Sequence, residues 1–419
     1  MKFIDLFSGL GGFHVGLAQH GHSCVFSCEI DPDLRNLYQI NHDLIPHDDI
    51  RTIKEENIPE HDILCAGFPC QPFSLAGKKK GAKCPESGKL IDHVLRIAKY
   101  HQPKYVLLEN VPNVITIEEG KFWGYIKNSF EGLGYKIDYK IISPTDVGIP
   151  QNRKRVFIVG VRNDLIEGFK WPEISQNYEN DFQKLLNDNF EYKKLEPQKN
   201  QLLVKWQQLL TNLNLDELPS VSIVAPEFGA NYPFDFSRLT LKEIKKYKGA
   251  YGQELKHCKT WEEVLNLMPS YTRKNKKVAL WVERSVIYSR KLYKANTIIC
   301  DEWKSDFNFN NNSWQILEWR GLRHSPNIFN HLVQFRASGI RVLKSNIAPS
   351  LIAMTPTQIP VIPSQARYVS TYEAAKLQHL HKLKALPNDR KAAFKALGNA
   401  VNAKIIELIS SNLKSYALV

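Results

Sequence analysis

A chain of 419 residues, 43% hydrophobic and 24% charged, can bury a large core and supports two domains, which excludes a disordered or fibrous protein. Its formal net charge of +13 and sequence pI of about 9.2 suit a polyanionic partner, with nucleic acid the first to consider. The 7 cysteines are odd in number, include no Cys-x-x-Cys pair and form no metal-type cluster with the histidines, which argues against a disulfide framework or a metal site and for a reducing compartment.

Residues 1–7 read as a strand, ended by the turn glycines Gly9, Gly11 and Gly12. This stretch reaches Asp5 and then glycines too soon for a signal peptide. No apolar run is long enough to cross a membrane, so a cytoplasmic protein without membrane contact is expected. Residues 13–20 read as a helix, 23–30 as a second strand, and 33–41 as a helix opening with an acid after Pro32. Residues 62–67 form a buried strand. Residues 89–100 carry Leu90, Ile91, Val94, Leu95 and Ile97 at helical spacing. Further strands follow at 105–108, 137–142 and 155–161. Strands alternating with helices predict an α/β fold: a doubly wound, mostly parallel sheet with helices on both faces.

That rhythm stops near Val161. From residue 162 to about 344 the pattern is irregular and rich in lysine, arginine, asparagine and aromatics, with seven of the 8 tryptophans. Disordered linkers are poor in aromatics, so a second folded domain is predicted, with most of these tryptophans as core. Helical patterning returns at 371–379, with Ser370 or Thr371 as cap and Glu373 in the first turn. It recurs at 399–413, where Val401, Ile405, Ile406, Leu408 and Ile409 make an apolar stripe. The predicted layout is a first domain of residues 1–161 plus 345–419, with a smaller domain of 162–344 inserted.

The turn Asp5-Leu6-Phe7-Ser8-Gly9-Leu10-Gly11-Gly12 follows a strand and opens a helix. Close glycines let a ligand approach the backbone at the carboxyl end of a parallel strand. The spacing is not Gly-x-Gly-x-x-Gly, and a plain tight turn is the bland alternative. Glu29, about 20 residues on at the end of the second strand, is placed to bind ribose hydroxyls. A nucleotide-dependent oxidoreductase stays open at this point.

Gly67-Phe68-Pro69-Cys70-Gln71-Pro72-Phe73-Ser74 follows the buried strand at 63–66. Cys70 thus stands just past a strand's carboxyl end, where open α/β sheets place their sites. The following Lys78, Lys79 and Lys80 favour a thiolate, although a solvated loop would use lysines equally well. Cys24, Cys28, Cys65, Cys258 and Cys300 fit the role of inert small hydrophobes. Glu109, in Leu107-Leu108-Glu109-Asn110-Val111-Pro112, ends another buried strand, where a raised pKa would make it a proton donor.

Together these residues resemble the ordered motifs of the C5 DNA cytosine methyltransferases of bacterial restriction–modification type. The order continues with Gln151-Asn152-Arg153-Lys154-Arg155, similar to the family's Gln-x-Arg-x-Arg element, and ends with Gly398-Asn399-Ala400-Val401. Arg367, Glu373 and Leu377 resemble its Arg-x-Leu-Thr-x-x-Glu segment, with Val369 and Ser370 where Leu and Thr are usual. The resemblance covers roughly residues 1–161 and 345–419. It implies a Rossmann-like S-adenosylmethionine-dependent methyltransferase domain with an inserted target-recognition domain. It implies Cys70 as the nucleophile toward cytosine C6, Glu109 at N3, Arg155 at O2 and Arg153 in support. For S-adenosylmethionine, it implies Phe7 on the adenine, Glu29 on the ribose with Ile30 beside it, and Asp49 with Ile50 near the adenine amino group. Gly9, Gly11 and Gly12 would line the amino-acid end, with Pro69 and Asn399 closing the pocket. Gln71, Ser74, Lys78, Lys79 and Lys80 would contact DNA around a flipped base.

In the middle block, Lys242, Lys245, Lys246, Lys248 and Arg273-Lys274-Asn275-Lys276-Lys277 are candidates for phosphates, and Arg284, Arg290, Arg323, Arg336 and Arg341 for guanine edges. The expected partner is double-stranded DNA, with functional pairing to a restriction endonuclease and a monomer as the oligomeric state. The rivals are a tRNA cytosine-5 methyltransferase, a catalytically dead DNA-binding module, and the oxidoreductase above.

Overall fold

The computed structural model describes residues 1–69, 90–165, 169–174, 178–187, 189–305, 312–324, 326–351 and 358–414. Two compact units result: one of Met1–Phe190, Pro349–Pro356 and Ser370–Val419, the other of Glu191–Ala348 and Thr357–Val369. The first unit thus takes in residues 162–190, which sequence patterning put in the second domain. It is the irregularity of this stretch that hides its membership: it packs through scattered side chains. Tyr178 lies against Gly148, and the Trp171 indole donates to Asp138 at 2.8 Å.

The first unit is built on β1 (Lys2–Leu6), β2 (Ser23–Cys28), β3 (Ile63–Ala66), β4 (Tyr105–Asn110), β5 (Tyr135–Ile142) and β6 (Arg155–Arg162). They form one six-stranded sheet in the order β2-β1-β3-β4-β6-β5. The first four are parallel, and β6 runs antiparallel to both β4 and β5. The strands are legible because burial dictates composition. Every residue of β3 and β4 is buried, so both are near-continuous apolar runs. Edge strand β5 alternates over its first four residues instead, with Tyr135 and Ile137 buried and Lys136 and Asp138 exposed.

Helix α1 (Gly12–Ala18) leaves the first turn, and α2 (Pro32–His42) follows β2. Asp31 caps α2 by accepting from the Asp33 and Leu34 amides, with Pro32 at the first helical position. Helix α3 (Leu90–His101) buries Ile91, Val94, Ile97 and Ala98, one helical stripe. Helix α4 (Lys121–Gly132), which sequence patterning missed, buries only Ile126 and Phe130.

The helix expected at 399–413 is corrected to Ala403–Ser410, and a separate helix over Arg390–Asn399 precedes it. Asn402 starts the later helix. Its side chain accepts from the Ile405 amide at 3.3 Å and donates to the Leu377 carbonyl at 3.0 Å, making it a buried N-cap. The helix expected at 371–379 ends at Leu377, and His379 takes a left-handed backbone at φ 57. Its start is a capping box between Ser370 and Glu373.

The second unit holds another six-stranded sheet, whose longest members are Ile316–Arg320, Leu332–Arg336 and Gly339–Leu343. Its tryptophans are mostly structural. Trp206 is fully buried, and its indole donates to the Trp314 carbonyl at 3.1 Å. Trp303 donates to the Lys205 carbonyl at 2.6 Å. No described helix in either unit is long and apolar enough to cross a membrane.

Candidate active site

Sheet register assembles the site. One row across the sheet reads Cys28–Leu6–Ala66–Leu108. The next residue on each chain is Glu29, Phe7, Gly67 and Glu109. Four positions that lie far apart in sequence therefore stand side by side at the carboxyl ends of parallel strands, with Glu109 still within β4.

The first turn carries real conformational demand. Phe7 holds φ 58, Gly9 φ 53 and Gly11 φ 81, all left-handed. The three glycines then differ in what they face. A side chain at Gly11 would meet His42 Nε2 at 2.3 Å, and one at Gly12 would meet the Val401 carbonyl at 2.3 Å, whereas Gly9 faces open space. Gly11 and Gly12 thus serve close packing, against α2 and against the residue 399–402 segment. Gly9 alone leaves room beside the turn.

Glu29 closes the turn from the neighbouring strand. One carboxylate oxygen accepts from the Gly9 amide and the other from the Asp31 amide, both at 2.9 Å. Burial pushes this carboxyl up, and these backbone donors pull it back. Ile30 beside it is 63% exposed, an apolar side chain held out by a backbone that Arg35 fixes through the Glu29 and Ile30 carbonyls. Asp49 is committed locally: Arg51 Nε and Nη2 grip its carboxylate at 2.7–2.9 Å, holding its pKa down. Ile50 is buried in the core, and its carbonyl accepts from Arg96 Nη2 at 2.5 Å.

At the other end of the row, Glu109 is buried, with Oε1 3.2 Å from Arg155 Nε. Burial pushes the Glu109 carboxyl up, and the charges of Arg155 and then Arg153 oppose this. Arg153 is itself buried, which brings its guanidinium down to about 9 and still leaves it charged at neutral pH. It donates to the Ala400 carbonyl at 3.1 Å and to the Leu351 carbonyl at 3.4 Å. Arg153 therefore clamps the C-terminal segment whose next residue, Val401, packs on Gly12 and Gly67. Asn399 ends its helix with an exposed side chain.

Pro69 is exposed. Cys70, Gln71, Ser74, Lys78, Lys79 and Lys80 lie outside the described residues. The five described cysteines are free, and burial raises every one of their thiols: Cys24 and Cys28 to about 12, Cys300 to about 11, with Cys65 and Cys258 also above their ordinary value. None of these is poised as a thiolate.

Sequence patterning passed over several supporting residues. Asn110 donates to the Phe68 carbonyl at 3.1 Å, fixing the strand exit two residues before Cys70. Behind the glycine turn, Asp5 is fully buried and accepts from Tyr38, whose hydroxyl also meets His14 Nδ1 at 2.8 Å. Asn110 and Asp5 both stand inside motifs, but their polar partners come from distant segments. In the second unit, three of the candidate guanine readers are engaged internally. Arg290 binds buried Glu227 at 2.7 Å, Arg341 binds Glu318 at 2.7 Å, and Arg323 binds Glu217 at 2.7 Å.

The family model for C-5 cytosine-specific DNA methylase matches residues 1–415. Type II methyltransferase M.HhaI of Haemophilus parahaemolyticus is 42% identical over 174 residues, 41% of this chain and 53% of that protein. Type II methyltransferase M.MspI of Moraxella sp is 41% identical over 172 residues, 41% of each chain. The chain thus spans about half the length of the curated relatives it matches. The solved structure of the Entamoeba histolytica methyltransferase EhMeth shares the fold, with TM-score 0.52 and 16% identity over 99% of both chains.

Proposed function

The chain belongs to the C-5 cytosine-specific DNA methylase family, and from that membership we propose that it transfers a methyl group from S-adenosylmethionine to carbon 5 of cytosine in duplex DNA. The observation that carries this reading is the pairing of buried Glu109 with half-buried Arg155 at the carboxyl edge of the sheet, one strand from the exit that leads to Cys70.

The residues at the other end of the row suit the cofactor. Glu29 offers acceptor oxygens to ribose hydroxyls, exposed Ile30 and half-buried Phe7 offer apolar surface to an adenine, and Gly9 leaves open space beside the turn. Asp49 and Asn399 complete the proposed set, with Asp49 sharing its carboxylate with Arg51. When bound, S-adenosylmethionine supplies an electrophilic methyl group on its sulfonium.

The chain's own residues prepare the base. The Cys70 thiolate adds to C6, forming a C–S bond and pushing the ring's electron pair toward C5 and the O2–N3 amide. Glu109, whose carboxyl burial pushes up against the opposing charges of Arg155 and Arg153, delivers its proton to N3 as that charge develops. Arg155 donates to O2, and Arg153 holds the 399–402 segment through the Ala400 carbonyl. After methylation, a water takes the C5 proton, and the C–H electron pair re-forms the C5–C6 double bond. The C–S bond then breaks, Cys70 leaves as thiolate, and N3 returns its proton to Glu109. The cytosine must leave the duplex stack for C6 to be reached. The DNA-contacting group proposed around it is Gln71, Ser74, Lys78, Lys79 and Lys80.

We assign the second unit to reading a short target sequence. Pairing with a restriction endonuclease and a monomeric state complete the proposal. The test is bisulfite sequencing of DNA from a methylation-free bacterial host expressing the protein, beside a Cys70→Ala control. Protected cytosines at one recurring sequence, absent in the control, support the reaction and the nucleophile. No protection in either, with folded protein present, overturns the DNA reading; methylated tRNA in the same cells would replace the substrate.

A further inference from the structure

The second unit displays an apolar and cationic face that its own core does not explain. Among the described residues, Trp281 is the exposed tryptophan, at 67%, and its neighbour Leu280 is 81% exposed. The helix Glu283–Ala295 that follows buries Val286, Ser289 and Leu292. Its opposite side presents Arg284, Ile287 and Lys291, at i, i+3 and i+7, with Ile287 40% exposed. Exposed apolar side chains that cluster mark a contact surface more often than scattered ones do.

Trp281 is mounted, not loose. Its ring meets Tyr271 edge-on, with centroids 6.4 Å apart. The Tyr271 hydroxyl donates to buried Glu227, which also accepts from Tyr232 and pairs with Arg290 at 2.7 Å. A buried, charge-assisted network thus holds the platform, and a preformed aromatic surface loses little entropy on binding.

The charge around this face selects the partner. Between Arg273 and Lys294 the chain carries eight lysines and arginines and one acid, Glu283. Arg284, Lys291 and Lys294 are exposed and make no ion pair among the described residues. Cations would satisfy phosphates, a guanidinium would read a guanine edge, and Trp, Leu and Ile side chains would contact thymine methyls or base faces. We infer that the face formed by Leu280, Trp281, Arg284 and Ile287 contacts duplex DNA and helps to select the target sequence. This rests on the methyltransferase reading above and adds the residues that discriminate.

The test uses full-length wild type, Trp281→Ala, Trp281→Phe and Arg284→Ala. Binding is measured to a duplex carrying the methylated sequence found by bisulfite sequencing and to a scrambled duplex, with S-adenosylmethionine affinity as the folding control. Trp281→Ala and Arg284→Ala are expected to weaken target binding about tenfold or more and to narrow the gap to scrambled DNA, with cofactor affinity unchanged. Trp281→Phe, which keeps an aromatic face, is expected to retain most of the affinity. Unchanged affinity and site preference in both the Trp281→Ala and Arg284→Ala proteins would overturn the inference. So would loss of self-association or of binding to anionic vesicles with DNA binding intact. A wild type that methylates no DNA overturns the parent reading instead, a failure visible before any variant is made.

Discussion

Glu109 and Arg155 meet at 3.2 Å because β4 and β6 run antiparallel in a register that pairs Glu109 with Phe157. Arg155 is two residues away on the same strand, where side chains return to the same face of a sheet. The pair thus joins an apolar run and a basic element about forty-five residues apart in sequence. Two effects oppose each other on the proton at this position: burial favours the neutral carboxyl and the guanidinium favours the anion.

Glu109→Gln is expected to lower the methylation rate by about 10²–10⁴-fold while leaving S-adenosylmethionine binding intact. The amide can still donate a hydrogen bond but cannot hand over a proton. In the wild type the Glu109 pKa is raised, so the active protonated form is favoured below it and depleted as pH rises through it. The single-turnover rate should therefore fall on the alkaline side in wild type, and that limb should be absent in the variant. A variant as fast as wild type would remove Glu109 from the reaction.

Arg153→Met keeps bulk but strands the Ala400 and Leu351 carbonyls that Arg153 now satisfies. Each stranded buried acceptor costs about 1–3 kcal/mol. A clear fall in the urea midpoint is expected, with weakened cofactor binding because the 399–402 segment loses its clamp. An unchanged midpoint would mean that water replaces the guanidinium at no cost.

Gly9→Ala and Gly12→Ala should separate binding from folding. A methyl at Gly12 would lie 2.3 Å from the Val401 carbonyl, and overpacking of this kind costs about 1–3 kcal/mol. A methyl at Gly9 meets nothing within 4 Å but sits at φ 53, a left-handed strain of about 1–2 kcal/mol. Gly9→Ala is expected to stay folded and to raise the S-adenosylmethionine dissociation constant, because the methyl fills the space left for the ligand. Calorimetric titration and thermal melts on the two proteins distinguish this pattern from a shared folding defect.

Burial, and then the neighbouring His42, lower the His14 pKa from 6.5 to about 3. A depressed histidine leaves the unfolded chain binding more protons than the folded one between those values. Its contribution to stability is therefore present above about pH 6.5 and is lost as pH falls toward 3. His61, lowered to about 4 by burial, acts in the same direction. Chemical denaturation between pH 7 and 4.5 should show falling stability in wild type and a shallower fall in His14→Gln. Parallel slopes would assign the loss to other groups.

Sequence patterning was most reliable where burial writes a simple code. Strands β3 and β4 are apolar runs because both faces are covered, and β1 with its glycine turn is marked by residues that a left-handed turn demands. Helix α4 left a weak trace because two buried residues make too narrow a stripe. The helix start at Asn402 leaves little trace in the apolar pattern, since a cap is a single polar residue.

By itself the sequence determined the alternation of strands and helices, the ordered motifs, and hence the family to which the chain belongs, because these depend on local pattern and on residue identity. Only the tertiary structure decided what each motif residue does for its neighbours. It showed that Gly11 and Gly12 are filled by His42 and Val401 while Gly9 is open. It showed that Arg153 spends its donors on Ala400 and Leu351, and that Arg290 is held by Glu227 whereas Arg284 is exposed. The physical reason is the same in each case. A hydrogen-bond donor or a missing side chain acquires its role from the group that faces it, and here that group comes from a segment that chain folding alone brings near.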